Sequence, residues 1–290
     1  MLFSTNTMIA VDREGIGLDK GLAMLMDAGF PALDLSFTRN YEYVMNDDYK
    51  ATAKRIRELV NSRGAVFNQA HAPFGGGYAV YTEKTIPKLP RIIEFAGLVG
   101  VKNIIVHPII EKRHYGYEKE HFEMNMEFYS SLAPYAKDAG VKIAIENMWD
   151  SHPVTKHICD SVCSDPHELA RYYDELSDSE AFTVCLDIGH VALCGREPED
   201  AIRIIGGARL GAIHAHDVNY REDLHTLPGV SRLNWNAICY ALAEIGYMGD
   251  FTLECEGFPR NFDTEYLPTV LRFMADTARY YANKTESYKK

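Results

Sequence analysis

Short runs of β-branched and apolar residues alternate along the chain with longer stretches in which apolar residues recur at three- and four-residue spacing. The short runs are Ser4–Ile9, Ala32–Ser36, Ala65–Ala70, Asn103–His107, Lys142–Glu146, Phe182–Asp187, Ala212–His216 and Phe251–Glu254, which predict eight strands. Between them, spacings such as Leu22, Leu25 and Met26, or Leu267, Val270, Leu271 and Met274, lay apolar stripes on one helical face, so each strand is expected to be followed by a helix. Gly29, Gly64, Gly100, Gly140, Gly211 and Gly246 stand shortly before strands, where a glycine ending the preceding helix belongs. Consecutive βα units with right-handed crossovers close into a barrel. A doubly wound sheet would carry about five or six strands and a glycine-rich first turn, and the chain has no G-x-G-x-x-G. No shift of composition marks a linker, so the pattern predicts an α/β protein in which residues 1–290 form one (β/α)8 barrel domain.

Composition agrees with a full globular core, with 47% hydrophobic and 24% charged residues. Lys and Arg total 30 against 41 for Asp and Glu, a net charge of −11, which argues against a partner held by phosphate electrostatics such as nucleic acid. The six cysteines are scattered rather than arranged as a framework, which points to reduced thiols. The N-terminal residues lack a basic stretch followed by an apolar one, and no apolar run reaches the ~18 residues of a membrane span, so a soluble, cytoplasmic protein without a membrane partner is expected.

The strand ends carry the candidate chemistry. Ser36, His71, His107, Glu146, Asp187, His214 and Glu254 follow one another at intervals of 35, 36, 39, 41, 27 and 40 residues. In a barrel, the carboxyl ends of the strands face one mouth, so polar residues there serve chemistry and those at the other end serve stability. His190 follows in Asp187-Ile188-Gly189-His190, and strand 7 ends His214-Ala215-His216-Asp217. Imidazole and carboxylate together suit a divalent ion such as Zn²⁺, Mn²⁺ or Co²⁺. A period of two puts His214 and His216 on one face, and likewise Glu254 and Glu256, so the pattern leaves open which of each pair is the ligand.

This set, over strands 3 to 8, resembles the xylose isomerase-like barrel superfamily, which contains sugar isomerases and epimerases related to tagatose 3-epimerase, inosose dehydratase, and endonuclease IV. The resemblance implies a central metal held by Glu146, Asp187, His214 and Glu254. It also implies candidate further metal or substrate contacts at His71, His107, His190, Asp223 and His225, because endonuclease IV-like enzymes hold additional zinc ions at matching positions. The metal count therefore lies between one and three. Many sugar-isomerase-like members keep a stretch similar to Asp223-Leu224-His225-Thr226-Leu227-Pro228-Gly229 ahead of a tryptophan, here Trp235, so that stretch does not single out the nuclease.

The expected reaction is isomerisation or epimerisation of a sugar or sugar phosphate, in which a proton leaves a carbon next to a carbonyl and returns elsewhere through an enediolate that the metal stabilises. Glu146 and Glu254, facing each other across the mouth, are the candidate acid/base groups. An endonuclease IV-like zinc phosphodiesterase and an inosose dehydratase-like lyase are the competing activities, and a carbohydrate-binding barrel without turnover is a further reading. The expected partner is a small carbohydrate, with a homo-oligomer as a further expectation. Trp149 and Asp150 either line the pocket or pack and solvate in a loop, Asp34 stands where the resemblance places a Glu near the substrate and reads equally as a turn or salt-bridge residue, and Gly75-Gly76-Gly77 reads as a flexible loop. Arg221 and Arg232 flank the strand 7 loop, where solvation is the commoner fate, and His157, Cys159 and Cys163 lack the second pair that a structural zinc site needs.

Overall fold

The computed structural model describes residues 1–289. Eight parallel strands form its main sheet: β1 (Phe3–Asn6), β2 (Ala32–Ser36), β3 (Val66–His71), β4 (Asn103–Val106), β5 (Lys142–Glu146), then, after the small strands β6 (Trp149–Ser151) and β7 (Ile158–Asp160), β8 (Phe182–Asp187), β9 (Leu210–His214) and β10 (Phe251–Leu253). The sheet order is β10-β1-β2-β3-β4-β5-β8-β9, and the ring closes where Ala215 bridges to Leu253, its N–H donating to the Thr252 carbonyl at 2.8 Å. The fold is the expected (β/α)8 barrel. Helices cover the outside, so strands such as Ala32–Ser36 and Phe182–Asp187 are buried along their whole length. Among the described residues, no helix is long and apolar enough to cross a membrane.

Three expectations are corrected. The first strand does not reach Ile9, because Asn6 accepts the Met8 N–H at 2.8 Å and the chain turns into a helical turn at Met8–Val11. Gly211 does not end a helix: it lies inside β9, where a Cβ would meet the Thr183 Oγ1, and Gly206, with φ of 72°, closes the preceding helix at Pro198–Ile205. The segment after β5 is not a plain loop, since β6 and β7 pair antiparallel with Trp149 opposite Asp160.

The barrel interior is divided. On one side Ile105, Ala144, Cys185 and Ala212 pack as a small apolar cluster separate from the main core. On the other, the β2–β3 register slips between Leu33 and Asp34, which turns both Asn68 and Gln69 of β3 inward. Asn68 donates to Ser4 at 3.1 Å, Thr252 donates to Gln69 at 3.2 Å, and Gln69 donates to Asp34 at 3.3 Å. This hydrogen-bonded column carries polar side chains through the barrel up to the mouth and satisfies most of their buried polar atoms.

Candidate metal centre

The ends of β5, β8 and β9 and the residue just after β10 deliver side chains to the same point. Glu146, Asp187, His214 and Glu254 place one donor atom each within 4.8 Å of one another, and all four are buried. His214 Nδ1 lies 2.6 Å from Glu146 Oε1 and 3.1 Å from Glu254 Oε2, so the two glutamates meet on one imidazole from opposite sides of the mouth. His107 Nε2 approaches Glu146 Oε2 at 2.7 Å, and His71 Nε2 stands 3.6 Å from that oxygen and 3.9 Å from Glu254 Oε1. His71, His107 and Glu146 form a second group of converging donors.

A third group combines His190, His216, Asp223 and His225. His225 Nε2 is 3.1 Å from Asp223 Oδ2, and Trp149 Nε1 donates to the same oxygen at 3.2 Å. His216 stacks on His225 with ring centroids 4.1 Å apart, and its Nε2 contacts both Asp187 oxygens at 3.0 and 3.1 Å. Gly189 makes room for that ring, since a Cβ there would fall 2.0 Å from His216 Cε1. All nine residues singled out in the sequence thus gather at one mouth.

The supporting contacts fix how these groups point. His71 Nδ1 faces the Ala72 carbonyl at 2.8 Å and His190 Nδ1 faces the Asn147 carbonyl at 2.9 Å. A carbonyl only accepts, so both rings carry hydrogen on Nδ1 and turn Nε2 into the site. Asn147 accepts from the Asp187 N–H at 2.7 Å and donates to the Asp187 carbonyl at 3.0 Å, tying the end of β5 to the end of β8. The loop carrying Asp223 and His225 is anchored by the fully buried Asp217. That carboxylate accepts from the Gly229, Ser231, Arg232 and Leu233 backbone N–H groups and from Trp235 Nε1, at 2.9–3.1 Å.

Sequence reasoning left out four contributors. His216 was visible only as one of an ambiguous pair, yet both members of the pair enter donor groups. Asp34 Oδ2 lies 3.5 Å from His214 Nε2 and joins the site to the column below. Glu256 Oε1 lies 3.3 Å from His225 Nδ1, and Asn147 had no signal beyond its place after Glu146. Trp149 reaches the site, while Arg221 is exposed and His157, Cys159 and Cys163 belong to no donor group among the described residues.

Electrostatics matches the crowding of charge. Burial by itself pushes the Glu146 carboxyl up, but the charges and hydrogen bonds of His214 and His107 outweigh it and hold the group well below the usual carboxylate range. Burial likewise acts upward on Glu254, and His214 and His225 draw it well down. His214 and His225 sit well above the ordinary histidine value despite burial, His214 through Cys185, Glu254 and Glu146, and His225 through Glu256 and Asp223. His107 is lowered, with burial dominant.

The donor set has the chemistry of a divalent-ion site. The nitrogens and oxygens are of the types that bind such ions at about 2 Å, and donors around one tetrahedral ion lie roughly 3–4 Å apart, in keeping with the observed spread of at most 4.8 Å. In the third donor group, His216 Nδ1 and Asp223 Oδ1 are buried without a hydrogen-bond partner. The residues fit. The model of the xylose isomerase-like TIM barrel family matches residues 22–276.

The chain belongs to that family. An uncharacterized protein of Methanocaldococcus jannaschii is 27% identical over 224 residues, covering 74% of this chain and 73% of the relative. Among solved structures, a D-tagatose 3-epimerase-like protein superposes with a TM-score of 0.76 at 20% identity, covering 100% of this chain and 98% of that one. The IOLI protein with a bound zinc atom superposes with a TM-score of 0.71 at 17% identity, covering 99% of each chain. At these identities the two structures share the fold. What this family member does rests on its own site.

Proposed function

We propose that this chain is a divalent-metal-dependent sugar isomerase or epimerase, in which Glu146, Asp187, His214 and Glu254 hold the ion and Glu146 and Glu254 are the acid/base pair. The observation that carries the reading is the convergence of two buried glutamates, one ending β5 and one just after β10, on the same nitrogen of one imidazole, at 2.6 and 3.1 Å, at the carboxyl ends of the strands. A divalent ion at this place supplies Lewis acidity, polarising a substrate carbonyl and offsetting the negative charge that develops when a neighbouring C–H loses its proton. Everything else is done by side chains. Both glutamates are held ionised, the form a base requires, and they face the bound sugar from two sides, so one can take a proton from a carbon and the other can return one to the opposite face. His107 and His71, in contact with Glu146, provide positive charge or a hydrogen bond as that carboxylate changes state. Trp149 and the Asp217-anchored loop wall off the third donor group. The epimerase likeness of the fold is in keeping with this chemistry, and the six unpaired cysteines suit a cytoplasmic setting.

The test is exchange of solvent deuterium into a panel of ketoses by the Mn²⁺-loaded protein. Glu146→Gln and Glu254→Gln are each expected to reduce exchange by at least about a hundredfold, the contribution of a general acid or base. Exchange at the wild-type rate in either variant removes that residue from the acid/base role.

A second reading is favoured by a specific observation. The groups His71/His107/Glu146 and His190/His216/Asp223/His225 flank the first, as a three-metal phosphodiesterase would require. Cleavage of an abasic-site duplex by the zinc-loaded chain would establish it; the net charge of −11 speaks against so anionic a substrate.

A further inference from the structure

Beside the donor groups lies a cavity of about 270 Å³ whose character differs from the rest of the mouth. Its walls are Phe74, Tyr78, Tyr81, Ile110, Met148 and His107, with the backbone of Gly75 and Gly77 at the rim. His107 is shared between the two compartments, with Nε2 on Glu146 at 2.7 Å and its ring stacked against Phe74 at a centroid distance of 4.2 Å. The Tyr81 hydroxyl is committed to the His107 carbonyl at 3.0 Å, which leaves its ring as an apolar wall. Phe74 and Tyr78 are 47% and 40% exposed, aromatic surface held open to solvent at the entrance of a buried polar site.

The loop that presents them is built for the purpose. Gly75, Gly76 and Gly77 follow one another with φ of 90°, 79° and 75°, a run that side-chain-bearing residues rarely adopt, and a Cβ on Gly76 would strike Val80. The run leads into the short helix Gly77–Val80, and Gly75 and Gly77 line the cavity.

A free sugar or a sugar phosphate presents hydroxyls or negative charge, for which this compartment offers the Tyr78 hydroxyl and the His107 imidazole and, among the described residues, no lysine or arginine. An apolar cavity of about 150 Å³ can hold benzene. Taking the adjoining centre as the carbohydrate site proposed above, we propose that the substrate is a keto sugar bearing an aryl or alkyl group through oxygen, with that apolar group seated between Phe74, Tyr78 and Met148. Phe74 and Ile110 are then specificity-determining residues.

Binding tests this without turnover. Phenyl and methyl β-D-glucopyranosides, neither of which can react, are titrated calorimetrically into the Mn²⁺-loaded full chain. The phenyl glycoside should bind about tenfold tighter or better, the gain from burying an aromatic ring. Phe74→Ala should cut that preference severalfold, and Ile110→Trp, which fills the cavity, should abolish it while leaving the methyl glycoside unaffected. Absence of a phenyl preference, whether both glycosides bind equally or neither binds, overturns the inference. A preference that survives Ile110→Trp does so as well. The two readings fail separately: phenyl preference with no deuterium exchange in any ketose leaves the subsite standing and removes the isomerase, and exchange into unsubstituted ketoses without phenyl preference does the reverse.

Discussion

Replacing Asp217 by Asn tests whether the third donor group depends on an anchor that is itself no ligand. The wild-type carboxylate is fully buried and takes five hydrogen bonds, two on Oδ1 from Arg232 and Leu233 and three on Oδ2 from Gly229, Ser231 and Trp235. An amide has the same shape but offers one acceptor oxygen and an NH₂ that would face two or three donors. At least two charge-assisted bonds are lost and their donors stay buried. At about 1.5–3 kcal/mol for each such bond, the loss of two costs roughly 3–6 kcal/mol. For a chain of this size that is a fall in Tm of roughly 5–10 °C if the loop unfolds with the barrel. If the loop opens alone, Tm moves less, and the cost appears as protease cutting between Val218 and Asn234 and as loss of the His225–Asp223 contact. Differential scanning calorimetry with limited proteolysis distinguishes the two routes. Unchanged Tm together with unchanged protease resistance would refute the anchoring argument.

Other consequences are open to direct measurement. Gly189→Ala should displace the His216 ring from Asp187 and cost about 1–3 kcal/mol, read from urea unfolding; a wild-type midpoint would mean that the ring is free to move. His225→Ala should leave one metal ion per chain by elemental analysis of protein purified without chelator, because the four proposed ligands lie elsewhere, whereas loss of one zinc from a total near three would bring the phosphodiesterase forward. The pH dependence follows from the two opposed sets of shifts. Glu146 and Glu254, depressed below the ordinary 4.5, add stability that is present above 4.5 and lost as pH falls through their folded values. His214 and His225, raised above the ordinary 6.5, add stability that is full below 6.5 and lost as pH rises through their folded values. Chelator-treated protein should therefore gain most from these groups between 4.5 and 6.5, and the Tm gained on adding Mn²⁺ should grow with pH, since ligation requires unprotonated imidazole. A metal-induced gain that falls between neutral and alkaline pH would contradict this.

The amino-acid sequence by itself determined the architecture and most of the donor set. A period-two or fully apolar run followed by a helical stripe recurs from Phe3 to the last helix at Leu267–Tyr288, and local periodicity of this kind is sufficient to specify a βα unit. The rule that strand ends share one mouth then gathers His71, His107, Glu146, Asp187, His214 and Glu254 without any coordinates. Tertiary structure decided what depends on register and on approach from distant elements. The one-residue slip at Leu33/Asp34 aims Asn68 and Gln69 inward together, and no pattern along β3 announces it. His216 could not be told from His214 by a period of two; it enters the third donor group because Gly189 leaves space for its ring and Asp187 lies 3.0 Å from its Nε2. Asp217 looked like one more acidic residue after a strand, and became the anchor of a loop only once Gly229 to Trp235 wrapped around it. Periodicity is a property of neighbours in sequence, whereas these roles arise from contacts between residues far apart in sequence, or from how a loop folds back on its own anchor, and only the closed barrel brings those surfaces together.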